Sequence, residues 1–312
     1  MIRHLARSSV LRLLLTAAIL AYLLGRIDLG EAVRALLGVQ LSLLAAVLLL
    51  VAVDRAVMVT RWLVLLRASH TAVSVKSATW IYLVSSFLGS FLPAGVGGDA
   101  ARAYTLARRT AQGSEAVASV AVDRMAGMLS IVVLGVAGLL LWTDPLGDDV
   151  RRTAVLLAGV VTGGILIAVR ADSLLRLLIP SGLRQVGAID RLVRLADATA
   201  RYRTRPVALA VVLALSFAVQ LLRILQAYLL GLGLGLTVGF GYYLVFMPIG
   251  LLMLLLPVSV SGFGLPQGVI VWLLRPMGVP DAQSFALSTL IVVTGLAGNL
   301  PGALLYVRRR SA

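Results

Sequence analysis

The sequence predicts an all-α integral membrane protein, with about six full transmembrane helices and two re-entrant broken-helix pairs arranged as an inverted repeat. Three observations predict it. Sixty per cent of the 312 residues are hydrophobic, only 13% are charged, and mean hydropathy is +1.00. A soluble core cannot hide that much apolar surface, and several stretches approach the ~20 residues that span a bilayer. Lys and Arg cluster on alternate connections, which is the positive-inside pattern. Two apolar segments also break alike, at Leu92-Pro93-Ala94-Gly95-Val96-Gly97-Gly98 and at Leu256-Pro257-Val258-Ser259-Val260-Ser261-Gly262. Paired Gly/Pro-interrupted segments point to the substrate site of a transporter.

The first span, about 10–26, follows Arg3, Arg7 and Arg12 as a signal peptide would. No small-x-small cleavage site follows Leu24, so it reads as a retained helix. Further full spans are expected at about 41–66, 116–141, 153–170, 206–230 and 282–307. The broken segments, about 78–109 and 238–275, are too interrupted for straight spans. Backbone that leaves helical geometry at membrane depth must be buried in protein or line a wet cavity, hence two re-entrant pairs. Between about 170 and 205, Arg residues interleaved with Asp172, Asp190 and Asp197 read as amphipathic helix on the cytoplasmic surface. Trp62, Trp80, Trp142 and Trp272 fall near span ends, where an aromatic belt accounts for them.

Charge sets the expected orientation. With both termini cytoplasmic, the first re-entrant pair is flanked by Arg67, Lys76, Arg108 and Arg109, and the tail Arg308–Arg310 returns inside. The second pair then opens outside, among only Arg275 and Asp281. An offset of 164 residues carries Leu92 onto Leu256, the span 41–66 onto 205–230, and 116–141 onto 280–305. One polytopic membrane domain, 1–312, is thus expected to hold two units of opposite topology, about 41–141 and 205–305. Inverted repeats of this kind place a site at their interface near the midplane.

Composition also excludes functions. The absence of Cys removes thiol catalysis, disulfides and zinc–thiolate sites, and two His (His4 and His70) near basic segments make a His-based metal site unexpected. A net charge of +15 would suit nucleic acid, but its placement is topological, and anionic lipid headgroups are sufficient partners.

Candidate binding residues gather at the breaks and at charges deep in spans. Pro93, Gly95, Gly97 and Gly98 permit a tight turn and close ligand approach. The helix beginning near Asp99 would aim its amides and positive dipole end at the break, a natural anion site. Ser259, Ser261, Gly262 and Gly264 would deliver a similar terminus in the second half; close helix packing is the competing reading for both. Asp99 and Arg102, three apart, can pair, with Arg102 either a headgroup ligand or an anchor of the turn. Asp123 and Arg124 lie in the first turns of their span, where they can snorkel to the interface. Ser216, Gln220, Arg223 and Gln226 recur at intervals of three and four, a polar stripe on an apolar helix. Arg223 among amides suits a phosphate, which guanidinium binds as a fork; the alternative is an ion pair with Asp54.

Ser86-Phe87-Leu88-Gly89-Ser90-Phe91-Leu92-Pro93, continued by Gly97-Gly98-Asp99-Ala100-Ala101-Arg102-Ala103, resembles the signature of the flippase-like membrane region of bacterial lysylphosphatidylglycerol synthases. Arg61-Trp62, Asp123-Arg124 and the stretch from Pro257 to Gly268 are similar to further motifs of that family. The resemblance implies a bacterial inner-membrane protein that moves lipid between leaflets without metal or organic cofactor. Two departures stand out. Pro266-Gln267 replaces an acidic residue that many members carry, often after Arg, and the aminoacyl-transferase domain of the full synthases is absent, so lipid aminoacylation is not carried over. The leading expectation is therefore a flippase-like transporter, not an enzyme, acting on a phospholipid or polyprenyl-phosphate-linked amphiphile. A secondary transporter of a soluble solute, with Asp54, Asp99 or Asp123 as carrier, is the first rival. A membrane transferase acting on a lipid carrier is the second, and it lacks a DxD-like or His cluster.

Overall fold

The computed structural model describes residues 25, 27–91, 97–110, 112–142, 148–180, 187–253 and 264–310, and every regular element among them is a helix. In chain order these are α1 (Leu29–Leu37), α2 (Leu41–Ala68), α3 (Val75–Gly89), α4 (Gly97–Thr110), α5 (Gly113–Leu141), α6 (Asp148–Val169) and α7 (Ala171–Leu178). There follow α8 (Gly187–Arg201), α9 (Pro206–Gly233), α10 (Phe240–Met253), α11 (Leu265–Leu274), α12 (Asp281–Ala297) and α13 (Leu300–Arg310), with single 3₁₀ turns after α8 and α11.

Helices α2, α5, α6 and α9 and the stretch Asp281–Arg308 are long and apolar enough to cross a membrane. At 1.5 Å per residue the 28-residue α2 and α9 reach about 42 Å, more than a ~30 Å hydrocarbon core. The expected span 10–26 lies almost wholly outside the described residues, as do the two break segments, 92–96 and 254–263. Their flanks are described. Helices α3 (15 residues) and α4 (14), and likewise α10 (14) and α11 (10), are each too short to cross, in keeping with broken pairs. The last span differs from expectation, because α12 ends at Ala297 and α13 begins at Leu300. Close packing explains the interruption: a Cβ on Gly298 would lie 2.4 Å from Val51 Cγ1, and Asn299 Nδ2 donates to Ser90 Oγ at 2.9 Å. Helix α1 was not expected; Asp28 caps it by accepting from the Glu31 amide, and α1 lies on α12.

Helix α2 packs along α9 at the centre of the bundle. Ile224 and Leu230 of α9 pack there with Tyr242, Tyr243 and Phe246 of α10, Leu273 of α11 and Leu287 of α12 in one core, all fully buried. Most of the apolar surface of α6 faces outward, with Leu156 and Val160 exposed, as suits a lipid-facing helix. The basic segment forms α7 and α8, joined by an Arg176–Asp197 pair, and α8 docks on α5. Partial burial would raise the Asp172 carboxyl, but hydrogen bonds from Arg203 and the Ser173 amide outweigh this and hold it below its ordinary value. That contact therefore stabilises the fold above the ordinary carboxylate pKa, and the gain is lost as pH falls through the lowered one.

Trp62 departs from the aromatic-belt reading. It is fully buried, donates through Nε1 to Ser119 Oγ at 3.3 Å, and lies under the Arg102 guanidinium. Two glycines let one helix pack directly on the backbone of another. A Cβ on Gly138 of α5 would meet the Leu244 carbonyl oxygen of α10 at 2.4 Å, and one on Gly302 of α13 would meet that of Leu83 in α3 at 2.1 Å. Backbone cannot yield as a side chain does. Gly138→Val and Gly302→Val are each expected to cost about 1–3 kcal/mol or more, read as a lower unfolding temperature in detergent, whereas Gly163→Val, with open space around it, should leave that temperature unchanged.

Candidate functional site

Two clusters of charge lie inside the bundle, on one polar seam. Asp54, Met58 and Arg61 recur at four and three residues along one face of α2, and Ser216, Gln220 and Arg223 do the same on α9. Arg61 Nη1 donates to Ser216 Oγ at 3.1 Å, and Arg223 Nε to Asp54 Oδ1 at 3.3 Å. The rising number on α2 meets the falling number on α9, so the two helices run antiparallel through the seam.

The first cluster centres on Asp123 of α5. Its Oδ1 accepts from Arg61 Nε at 2.7 Å and its Oδ2 from Arg102 Nη2 of α4 at 3.0 Å. All three side chains are at most 5% exposed, so Asp123 does not snorkel to the interface. Arg102 also donates to Asp99 Oδ1 at 3.1 Å, and its guanidinium sits 5.1 Å from the Trp62 ring centroid and 4.8 Å from that of Tyr82. Arg124 reaches the other oxygen of Asp99 at 3.4 Å. The first turn of α4 thus carries the chain's own carboxylate, engaged by two arginines. Of the four residues expected at the first break, Gly97 and Gly98 open α4, and a Cβ on Gly89 would lie 2.7 Å from Gly98 Cα, so α3 and α4 touch backbone to backbone. Pro93 and Gly95 lie outside the described residues.

The second cluster lies near the middle of the bundle. Asp54 Oδ2 accepts from Arg55 Nη1 at 2.9 Å, Arg55 Nη2 donates to the Gly295 carbonyl of α12 at 3.1 Å, and Arg223 Nη2 meets the Met58 sulfur at 3.1 Å. These groups border a cavity of about 170 Å³ whose walls come from α2, α9, α10 and α12. Asp54, Arg55, Arg223 and Gln226 are its charged and amide lining; Met247, Leu251 and Ile291 are among its apolar wall. Two guanidiniums face one carboxylate among the described residues. Gln226 Nε2 and Arg55 Nε are buried donors that no described acceptor satisfies.

The second break shows its downstream end only. Gly264, at φ 93°, caps α11, a left-handed conformation that glycine reaches without a steric penalty. Gln267 Oε1 accepts from the Gly264 amide at 2.7 Å, which is the N3-to-N-cap half of a capping box, glycine having no side chain to complete it. A neutral amide thereby does the capping, at the departure that Pro266-Gln267 makes from the expected acidic residue. Ser259, Ser261 and Gly262 lie outside the described residues. Gln220 Nε2 reaches the Gly127 carbonyl at 3.5 Å, a weak link to α5.

A family model described as the lysylphosphatidylglycerol synthase TM region matches residues 9–302, nearly the whole chain. The chain belongs to this family. No curated protein matches it. Membership in the lysylphosphatidylglycerol synthase TM-region family makes it a multi-pass membrane protein associated with lipid metabolism or transport.

The structure does not bring Arg102 and Arg223 into one cluster. Arg102 is enclosed by two carboxylates and two rings, while Arg223 borders the central cavity together with Arg55. Sequence reasoning passed over Arg55 and named Arg61 only in the Arg61-Trp62 motif, not among the candidate binding residues. Both are guanidiniums within a 28-residue apolar helix, and charge at depth is itself the signal that marks them. Removing the Asp123 charge leaves the buried Arg61 without its carboxylate and Arg102 with Asp99 alone. Asp123→Asn is expected to cost about 3–5 kcal/mol of stability, against about 0–1 kcal/mol for Arg124→Ala at the exposed end, measured by thermal unfolding in detergent.

Proposed function

We propose that this protein is a flippase-like transporter that moves a phosphate-bearing lipid or polyprenyl-linked amphiphile between leaflets without covalent chemistry. The observation that carries the reading is the central cavity, with two guanidiniums to one carboxylate near the middle of the 28-residue α2. Charge is costly at that depth and is kept where it handles a substrate or ion. A volume of about 170 Å³ accommodates a headgroup phosphate but not acyl chains, which would stay in lipid. Both deep carboxylates, Asp54 and Asp123, are held by two guanidiniums each, which weighs against either as the carrier of a soluble-solute transporter.

Packing supports alternating access by an inverted repeat. Helix α3 touches α2 as α10 touches α9, α4 lies on α5 as α11 lies on α12, and α5 meets α10 as α13 meets α3. Gly138 and Gly302, where an added Cβ would meet a backbone carbonyl of the facing helix, stand 164 residues apart, the same offset as the two breaks. The cavity takes its walls from both units, with α10 leading directly into the second break. In this reading the termini are cytoplasmic, the membrane is the bacterial inner membrane, and the broken pairs open to opposite sides.

Reconstitution into liposomes with lipid labelled in one leaflet tests the proposal. Purified protein should equilibrate a labelled phospholipid or polyprenyl phosphate between leaflets. Arg223→Ala and Arg55→Ala should each slow this about tenfold or more, as expected for the loss of a buried charge-assisted contact. Exposed Arg151→Ala should not. A panel of such lipids that all remain in their leaflet would refute it.

A further inference from the structure

We infer that Asp54 is an exchangeable counter-ion: it occupies Arg55 and Arg223 until the phosphate oxyanion of an amphiphile replaces it, with the Gln226 amide as a further donor to that oxyanion. The inference rests on the flippase reading and adds how its site binds and releases.

The two buried carboxylates differ in how firmly they are held. Asp123 is gripped at 2.7 and 3.0 Å by side chains that are themselves buried. Asp54 is as buried, but its partners are not: the Arg55 and Arg223 side chains are 18% and 27% exposed. The Arg223 contact, at 3.3 Å through Nε alone, is long for a charge-assisted bond and lacks the bidentate fork that guanidinium favours. Arg223 turns Nη2 instead to the Met58 thioether, a weak acceptor that also meets Arg55 Nη1 at 3.5 Å.

The cluster is also short of acceptors. Gln226 Nε2 and Arg55 Nε are buried donors without a described partner, and the one carboxylate is already shared by two guanidiniums. Thr294 adds no acceptor demand, since its hydroxyl donates back to the Leu290 carbonyl within α12. A tetrahedral phosphate presents more oxygens than a carboxylate and can take forks from both arginines. An internal anion that competes with it keeps the guanidiniums compensated between cycles and limits affinity, so that the substrate can leave. A ligand shifts such an equilibrium only by its advantage over the competitor.

The test is binding to the full-length protein in non-ionic detergent by calorimetry. The probes are dihexanoyl phosphatidic acid, uncharged dihexanoylglycerol and inorganic phosphate. The native protein should bind the phosphatidic acid and not the diacylglycerol; binding of inorganic phosphate alone would assign the site to the free ion and overturn the amphiphile. Asp54→Asn should bind the phosphatidic acid about tenfold more tightly, equivalent to about 1.4 kcal/mol, while slowing lipid exchange in liposomes. Gln226→Leu should weaken binding. Unchanged or weaker binding by a folded Asp54→Asn overturns the counter-ion while leaving the flippase reading intact, provided that Arg223→Ala still loses binding. Loss of fold in both Asp54→Asn and Asp54→Ser would also overturn it, because the pair would then be structural. Binding of no probe by the native protein, together with no lipid exchange, removes both.

Discussion

A carboxylate among apolar helices must be paired, and Asp123 is paired twice, by Arg61 from α2 and Arg102 from α4. Three helices are thereby fixed in register, with Trp62–Ser119 and Arg124–Asp99 as further polar links between them. The same arginines carry the constraint outward. Arg61 reaches Ser216 and so sets α9 against α2, while Arg102 pairs with Asp99 within α4, which Arg124 of α5 engages from outside. In a medium without water to screen or solvate, breaking one of these contacts leaves a charge no neighbour can absorb. The position of Arg223 opposite Asp54 follows from that register, two turns further along the seam.

The two clusters divide the work between them. The one at Asp123 is closed: short contacts, buried partners and aromatic rings over Arg102. The one at Asp54 is open: longer contacts, a thioether in place of an oxygen acceptor, unsatisfied donors and a cavity. The proposed flippase cycle needs both, one rigid enough to hold the backbone and one loose enough to exchange its occupant. The imbalance expected between the two halves takes a particular form. The first broken pair carries the ionic anchor at Asp99 and Arg102, whereas the second caps its helix with the neutral Gln267.

Much of this was legible in the sequence, because hydrocarbon imposes strict rules. Apolar runs of sufficient length had to be spans, so α2, α5, α6 and α9 begin and end within a few residues of expectation. The polar stripe on α9 was visible as spacing, and its pairing with Asp54 was one of two readings open for Arg223. What spacing could not reveal was partner choice. Trp62 looked interfacial by position along the helix, yet Ser119 and Arg102 hold it inside. Arg102 stood open between headgroup ligand and anchor, yet Asp123 claims it. Helix α1, at nine residues, is too short to register as a span, and the division at Gly298 and Asn299 depends on contacts with Val51 and Ser90, far away in sequence.

The central claim is that the cavity between α2, α9, α10 and α12 receives a phosphate. An electron cryo-microscopy map of the protein in nanodiscs containing an anionic phospholipid tests it most directly. The account predicts headgroup density in that cavity, with phosphate oxygens about 3 Å from the Arg55 and Arg223 guanidiniums and Asp54 drawn away from at least one of them. Lipid density confined to the outer belt, with Asp54 still bridging both arginines, would contradict it.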